Sequence, residues 1–159
     1  METKGQVQDI QFIRLNEGKE SLMALRDLNK LFAEAFNEPD TYLGGKPSDE
    51  YLLSLLSKKH IIVCVATVNQ KVVAGLVGYV MEKFEQERGE VYIYDLAVEE
   101  DYRRKQVATN IILFLKDEAV IFGAWVVFIQ ANPEDTPAIR LYESLGIREE
   151  VFHFDIAIE

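Results

Sequence analysis

This chain of 159 residues has one cysteine, two histidines and four prolines. A single cysteine, Cys64, rules out an internal disulfide. It lies in the apolar run Ile61-Ile62-Val63-Cys64-Val65-Ala66 and reads as a small buried hydrophobe, not a catalytic thiol. His60 and His153 are far apart and have no cysteine companions, so no metal-site spacing is present and none is expected. No apolar run approaches the roughly 20 residues that span a bilayer. The opening Met1-Glu-Thr-Lys-Gly-Gln has no apolar signal region, so the expectation is a cytoplasmic protein. Positive charge is also scarce, at 17 Lys and Arg against 27 Asp and Glu, a net charge of −10. That argues against nucleic acid, whose phosphates need clustered cations. It favours cationic ligands by long-range attraction, although an acidic surface also simply keeps a protein soluble.

What is present is a folded composition, 48% hydrophobic and 28% charged, with a length suited to a single domain over 1–159. Residues 8–15 alternate like an edge strand. Leu22, Leu25, Leu28, Leu31, Phe32 and Phe36 repeat at helical spacing over 20–36. Residues 37–47 have loop composition, and Ser48 then caps a short helix. Two apolar runs, 60–68 and 72–81, flank Asn69-Gln70-Lys71 and predict a hairpin. A strand over 90–98, a helix, a strand over 125–131, a second helix and a closing strand over 148–158 complete the chain. The order is β-α-α-β-β-β-α-β-α-β. Three consecutive strands imply antiparallel pairing, and the later β-α-β implies a parallel pair. The fold class is therefore α/β, an α+β mixed sheet with helices on both faces.

The most informative stretch is Tyr94 to Ala108. An apolar strand stops at Val98, and an acidic turn and then the basic turn Arg103-Arg104-Lys105 follow. A helix opens there with Val107, Ala108, Ile111, Leu115 and Ala119 on one face. A helix N-terminus presents unpaired N–H groups and partial positive charge, a place for phosphate. Downstream, Asp135 or Thr136 can cap a helix that has Pro137 at its first position and Gly146 placed for a left-handed C-terminal residue.

These blocks resemble the GNAT superfamily of N-acetyltransferases. Its acetyl-CoA motif, Arg/Gln-x-x-Gly-x-Gly/Ala, maps onto Arg103 to Ala108, with Gln106 in place of the central Gly. A second block, Asn-x-x-Ala-x-x-Leu-Tyr-x-x-Leu-Gly-Phe, maps onto Asp135, Ala138, Tyr142 and onward, ending in Ile147. The resemblance implies the GNAT fold, a single central mixed sheet whose strands 91–98 and 125–131 splay apart to admit the thioester arm of CoA. It implies that the pyrophosphate lies over Arg104, Lys105, Gln106, Val107, Ala108 and Thr109, with pantetheine beside Leu96, Ala97 and Val98. A backbone N–H at the splay, that of Val98, is the expected oxyanion donor. The resemblance makes Tyr142 the candidate acid for the departing thiolate; its alternative role is packing on the sheet. The candidate bases are Asp95 and Glu90. An aspartate among apolar strand residues is expensive to bury unpaired. Asp95 therefore contacts an amine, orients a partner, or makes a structural ion pair or a hydrogen bond to a loop. Glu90 can equally be solvated. Tyr92 and Tyr94 share a strand face by period two and either line an acceptor cleft or pack across strands.

At a finer level Lys83-Phe-Glu-Gln86, Tyr92 to Val98 and Leu145 to Ile156 resemble the type I aminoglycoside 3-N-acetyltransferases. That resemblance implies acetylation of the 3-amino group of 2-deoxystreptamine antibiotics such as gentamicin, hence resistance. A polycationic acceptor calls for several carboxylates. Glu38, Asp40, Glu85, Glu87, Glu90, Glu149, Glu150 and Asp155 are available. Tyr94, Asp95, Glu38 and Asp155 are the substrate-side candidates. The competing readings are acetylation of a polyamine or a protein N-terminus, and a non-catalytic acyl-CoA module, which Gln106 keeps open. The oligomeric state is open in sequence, with a homodimer among the expectations.

Overall fold

A computed structural model describes residues 9–158. The elements are β1 (Gln11–Arg14), α1 (Lys19–Phe36), α2 (Asp49–Ser57), β2 (Ile61–Val68), β3 (Lys71–Glu82), β4 (Gly89–Val98), α3 (Val107–Ala119), β5 (Ala124–Ile129) and α4 (Thr136–Leu145). The five strands form one mixed sheet in the order β1-β2-β3-β4-β5. All neighbours are antiparallel except β4 and β5, which are parallel and joined through α3.

The β2–β3 hairpin closes more tightly than its sequence suggests. Asn69 and Gln70 have φ of 50° and 67°, the two-residue turn whose twist matches the strands, and Lys71 already pairs with Val68. Helices cover the sheet from both sides. Leu25, Leu28 and Phe32 of α1 and Leu52 and Leu56 of α2 pack on Val63, Val65 and Ala97. Val107, Ile111 and Leu115 of α3 pack on Ile62, Cys64, Leu76, Val91 and Ile93. A strand buried on both faces loses its polar alternation, which is why β2 reads as one apolar run. Cys64 belongs to this core, and burial pushes its thiol up to about 12. Among the described residues no helix is long and apolar enough to cross a membrane, and no His, Cys, Asp and Glu cluster is placed to hold a metal ion.

Four expectations need correction or trimming. Residues 40–44, expected as loop, form one wide helical turn, Asp40–Gly44. Gly146 is extended, with φ −157° and ψ −165°, not left-handed; its N–H still bonds Tyr142 O at 2.9 Å. Gln8, expected in the first strand, lies outside the described residues. The expected closing strand, 148–158, forms no strand and has no sheet pairing. Its alternation suits a strand, but a strand also requires pairing with a neighbour's backbone groups, and this segment pairs with none of β1–β5.

Candidate active site

The pairing of β4 with β5 ends at Ile93 and Ile129, whereas β4 stays paired with β3 as far as Val98. Beyond Ile93 the two parallel strands therefore separate. Backbone directions alternate along a strand. The N–H of Glu99 donates to Val73 O at 2.8 Å, on the β3 side. The N–H groups of Val98 and Leu96 consequently face the opening. So does the Val98 carbonyl, which accepts from Arg103 Nε at 3.0 Å. This guanidinium ties the basic turn to the open end of β4.

At that turn Arg104 and Gln106 have φ of 58° and 61°, with Lys105 between them in an ordinary conformation. Alternating handedness turns successive N–H groups inward and makes a concave anion site. The first intrahelical bond of α3 is Asn110 N–H to Gln106 O, at 2.9 Å. The N–H groups of Val107, Ala108 and Thr109 precede it and have no partner in their own helix. Arg103, Arg104, Lys105 and Gln106 are exposed beside them. This donor set fits a diphosphate. Gln106 occupies a left-handed position that costs an L-residue about 1–2 kcal/mol and glycine almost nothing. Gln106→Gly is accordingly expected to raise stability by up to about 1 kcal/mol, after the entropy glycine adds to the unfolded chain. It should leave acetyl-CoA affinity equal or better. Thermal melts and calorimetric titration check both, and a large loss of affinity would mean that the Gln side chain itself holds the ligand.

The register of β3 against β4 shifts between Val77 and Gly78, so that Val77 faces Asp95 and Gly78 faces Ile93. Tyr94 is the extra residue of this bulge. A bulge breaks strict alternation. Before it, Val91 and Ile93 point to α3; after it, Ala97 points to α1. Tyr94 and Asp95 thus emerge together on the α1 face. There Tyr42 Oη donates to Asp95 Oδ1 at 2.5 Å. Tyr42 is held by Phe32 and Phe36, with ring centroids 5.6 and 5.7 Å away. Asp95 borders a cavity of about 370 Å³ whose walls include Phe32, Tyr42, Tyr51 and Tyr79. Burial raises the Asp95 pKa above the ordinary carboxylate range, the Tyr42 bond opposes the rise, and Glu38 adds to it. The Tyr42 phenol is itself raised, by burial first and by Asp95 next.

Tyr42→Phe removes the one contact that lowers the Asp95 pKa. The acid limb of any activity that needs ionised Asp95 should therefore move to higher pH. A pH–rate profile reads this, and an unmoved limb would disconnect Tyr42 from the chemistry.

Around Asp95 lies a row of aromatics absent from the sequence reading as a set. Tyr79 meets Tyr94 edge-on at 6.2 Å, Tyr94 meets Tyr92 at 5.7 Å, and Tyr92 stacks on Phe128 at 4.9 Å. Of the two sequence alternatives for Tyr92 and Tyr94 the structure shows the packing one: the rings pack across strands, and Tyr94 also faces solvent. Tyr42 carried no signal in sequence, lying in a stretch with loop composition.

The remaining candidates fall in different places. Asp135 caps α4, its Oδ1 accepting from Ala138 N–H at 3.1 Å. Tyr142 is half-buried on that helix against the α3-side core, and burial with help from Asp135 pushes its phenol up to about 12. Glu38 is exposed and close enough to Asp95 and Tyr42 to raise both pKa values. Glu90 sits at the far end of β4, roughly 17 Å from Asp95 at ~3.3 Å per residue. There it accepts from Trp125 Nε1 at 3.2 Å and pairs with Lys83 at 3.6 Å. Asp155 lies on the unpaired 148–158 segment and, among the described residues, its carboxylate hydrogen-bonds the nearby His153, at 3.0 Å. The fold does not bring Glu90 or this chain's own Asp155 to Asp95.

The acetyltransferase (GNAT) family matches residues 24–147 of this chain. The chain belongs to that family. GNAT acetyltransferases use acetyl-CoA as acyl donor, and the splayed strands and the anion site at α3 suit its two ends. Among solved structures, this GNAT protein is similar to the aminoglycoside acetyltransferase HMB0005 from an uncultured soil metagenomic sample. The two are 43% identical over 95% of this chain and 99% of that one, with a TM-score of 0.90. It is also similar to the aminoglycoside acetyltransferase meta-AAC0020 from an uncultured soil metagenomic sample, solved in complex with sisomicin. There the identity is 30% over 94% and 97% of the chains, with a TM-score of 0.85. AAC(6')-Iy, solved with a bisubstrate analog of CoA, shares the fold at 17% identity over 94% and 99%, with a TM-score of 0.73. No curated protein matches.

Proposed function

We propose that this acetyltransferase moves the acetyl group of acetyl-CoA onto the 3-amino group of an aminoglycoside in the cytoplasm, by direct attack within a ternary complex. The observation that carries the reading is the joint placement of a raised-pKa carboxylate and an opened strand end on β4. Asp95 and Val98 are about 10 Å apart along the strand, at ~3.3 Å per residue. That span holds an amine and a relaying water between the carboxylate and the Val98 N–H. In this reading Asp95 takes a proton from the attacking ammonium. The free amine nitrogen bonds to the thioester carbonyl carbon, and the Val98 N–H stabilises the oxyanion. The carbon–sulfur bond then breaks, the Tyr142 O–H supplies the thiolate's proton, and the second proton that the nitrogen gives up as the amide forms returns through water to the Tyr142 phenolate. Much of the rate comes from holding both substrates in line. Glu38 adds a carboxylate beside the acceptor cleft, and Tyr94 offers an exposed ring to an ammonium or the apolar edge of an aminosugar. Two similar proteins named as aminoglycoside acetyltransferases support the substrate class. The 3-amino position is supported by the segments at 83–86, 92–98 and 145–156.

Thiol release from acetyl-CoA should be followed across gentamicin, sisomicin, spermidine and a basic peptide, with the acetylated position read by NMR. Turnover with gentamicin and a 3-N-acetyl product is expected. Preference for spermidine or the peptide would replace the substrate class, and another acetylated amine would correct the position.

A further inference from the structure

The cavity beside Asp95 has a lining that a hydroxylated sugar amine does not call for. It measures about 370 Å³. That is the size of a small-molecule site, whereas voids inside a packed core are few and seldom exceed a water molecule. Its inner wall is apolar: Leu25, Phe32, Leu52, Leu56 and Val63 are all buried. Its outer wall is aromatic. Tyr51 and Tyr79 line it and are 54% and 38% exposed, which places the open side at their rings. Asp95 is the only charged side chain among the described residues of the lining.

This division of chemistry defines an occupant. One carboxylate pairs with one ammonium. The phenol rings of Tyr42, Tyr51 and Tyr79 around it add attraction for a cation. The inner wall takes a group without hydroxyls. Phe32 and Tyr42, tilted with ring centroids 5.6 Å apart, offer edge and face contacts to a further ring. An aminoglycoside has several ammonium groups and many hydroxyls. Inside this cavity most of them would be buried without partners, each at a cost. Its place is outside, against Glu38 and the exposed ring of Tyr94.

We propose that this acetyltransferase also acetylates primary monoamines that carry one aryl arm, with the ring in the cavity between α1, α2 and the sheet and the amine at Asp95. Phenethylamine is the simplest member of the class. Its two-carbon linker separates the ring from the ammonium, so that the ring enters the apolar part while the nitrogen stays at the carboxylate. The proposal rests on the reading of Asp95 as the base, with acetyl-CoA as the donor. One ammonium proton passes to Asp95 and on to solvent. The nitrogen lone pair bonds to the thioester carbonyl carbon, and the carbon–sulfur bond breaks with its electron pair on sulfur. The second nitrogen proton ends on the CoA thiol by way of the Tyr142 phenol. The products are the N-acetyl amine and free CoA.

Thiol release from acetyl-CoA tests this on the full-length wild-type protein, with phenethylamine and ethylamine as acceptors. Rates are taken per free amine, so that the two basicities drop out. The expected kcat/KM is ~10–100-fold higher for phenethylamine, the usual worth of burying a phenyl ring. Equal values, or no turnover of phenethylamine, would overturn the inference. Saturation-transfer NMR without acetyl-CoA reads the ring's place directly. Irradiating the protein's methyl protons is expected to saturate the phenyl protons, and no transfer would overturn the cavity assignment. Leu55→Trp narrows the cavity from α2. It is expected to bring phenethylamine down to the ethylamine level, and a folded variant that keeps the full advantage would also overturn the proposal. Sisomicin in the same assay separates the two readings. Turnover of phenethylamine without sisomicin would remove the aminoglycoside reading alone, the converse would remove this one alone, and turnover of neither would remove both.

Discussion

Asp95→Asn is expected to lower kcat/KM for the acceptor amine by ~10²–10⁴-fold, the usual scale of general-base assistance, without lowering the melting temperature at neutral pH. The two halves of this result come from one physical fact. Burial raises the folded-state pKa of Asp95 above its unfolded value. A carboxyl with a raised pKa contributes stability as the neutral acid, below its unfolded pKa. It loses that contribution as pH rises through the folded pKa. Above the folded-state pKa the ionised carboxylate is therefore a cost that the fold carries. Asparagine removes the charge and keeps an oxygen to accept the Tyr42 O–H, so the variant should melt at the same temperature or higher. The same raised pKa makes Asp95 a stronger base. Wild-type activity should rise with pH through the Asp95 titration, and residual Asp95→Asn activity should lack that limb. Acetyl-CoA affinity should hold, because the anion site lies beyond Val98. Melting curves and steady-state kinetics on one preparation decide the matter. A variant that melts early but turns over normally in the cold would make Asp95 structural.

Tyr142→Phe is expected to lower kcat by ~10²–10⁴-fold with fold and acetyl-CoA binding intact. Its phenol, pushed up to about 12, stays protonated across the neutral range and is available as a donor. A free phenol near ~10 is a weaker acid than a thiol near ~8.5, and burial widens the gap. Full transfer to a departing thiolate therefore needs the reaction's own driving force, and help is greatest when the leaving thiol is most basic. The variant's defect should shrink with an acyl donor whose thiol is more acidic. Equal defects with both donors, in single-turnover measurements that isolate chemistry, would reduce Tyr142 to a packing residue.

Much of the fold was legible because local signals agree with the tertiary answer. Ser48 accepts from Tyr51 N–H, Asp135 caps α4, and the apolar period of α3 faces the sheet. The site was legible in pieces. The basic turn announced an anion site, and an aspartate inside an apolar strand announced a costly group with a purpose. Tyr42 was hidden because its partner is 53 residues away and its own stretch has loop composition. The aromatic row was hidden because its members come from β3, β4 and β5.

By itself the sequence determined the element order as far as α4, the mixed sheet, the N-caps of α2 and α4 and the positive N-terminus of α3, all of which follow from residue type and spacing over a turn or two. Only the tertiary structure decided which way Asp95 points. Strict alternation would place it opposite Tyr94; the bulge opposite Val77 puts both on one face, because the mismatch lies between two strands and is written in neither alone. The same holds for residues 148–158. Their alternation states that they can be a strand, but a strand also needs a paired neighbour, and these residues pair with none of β1–β5.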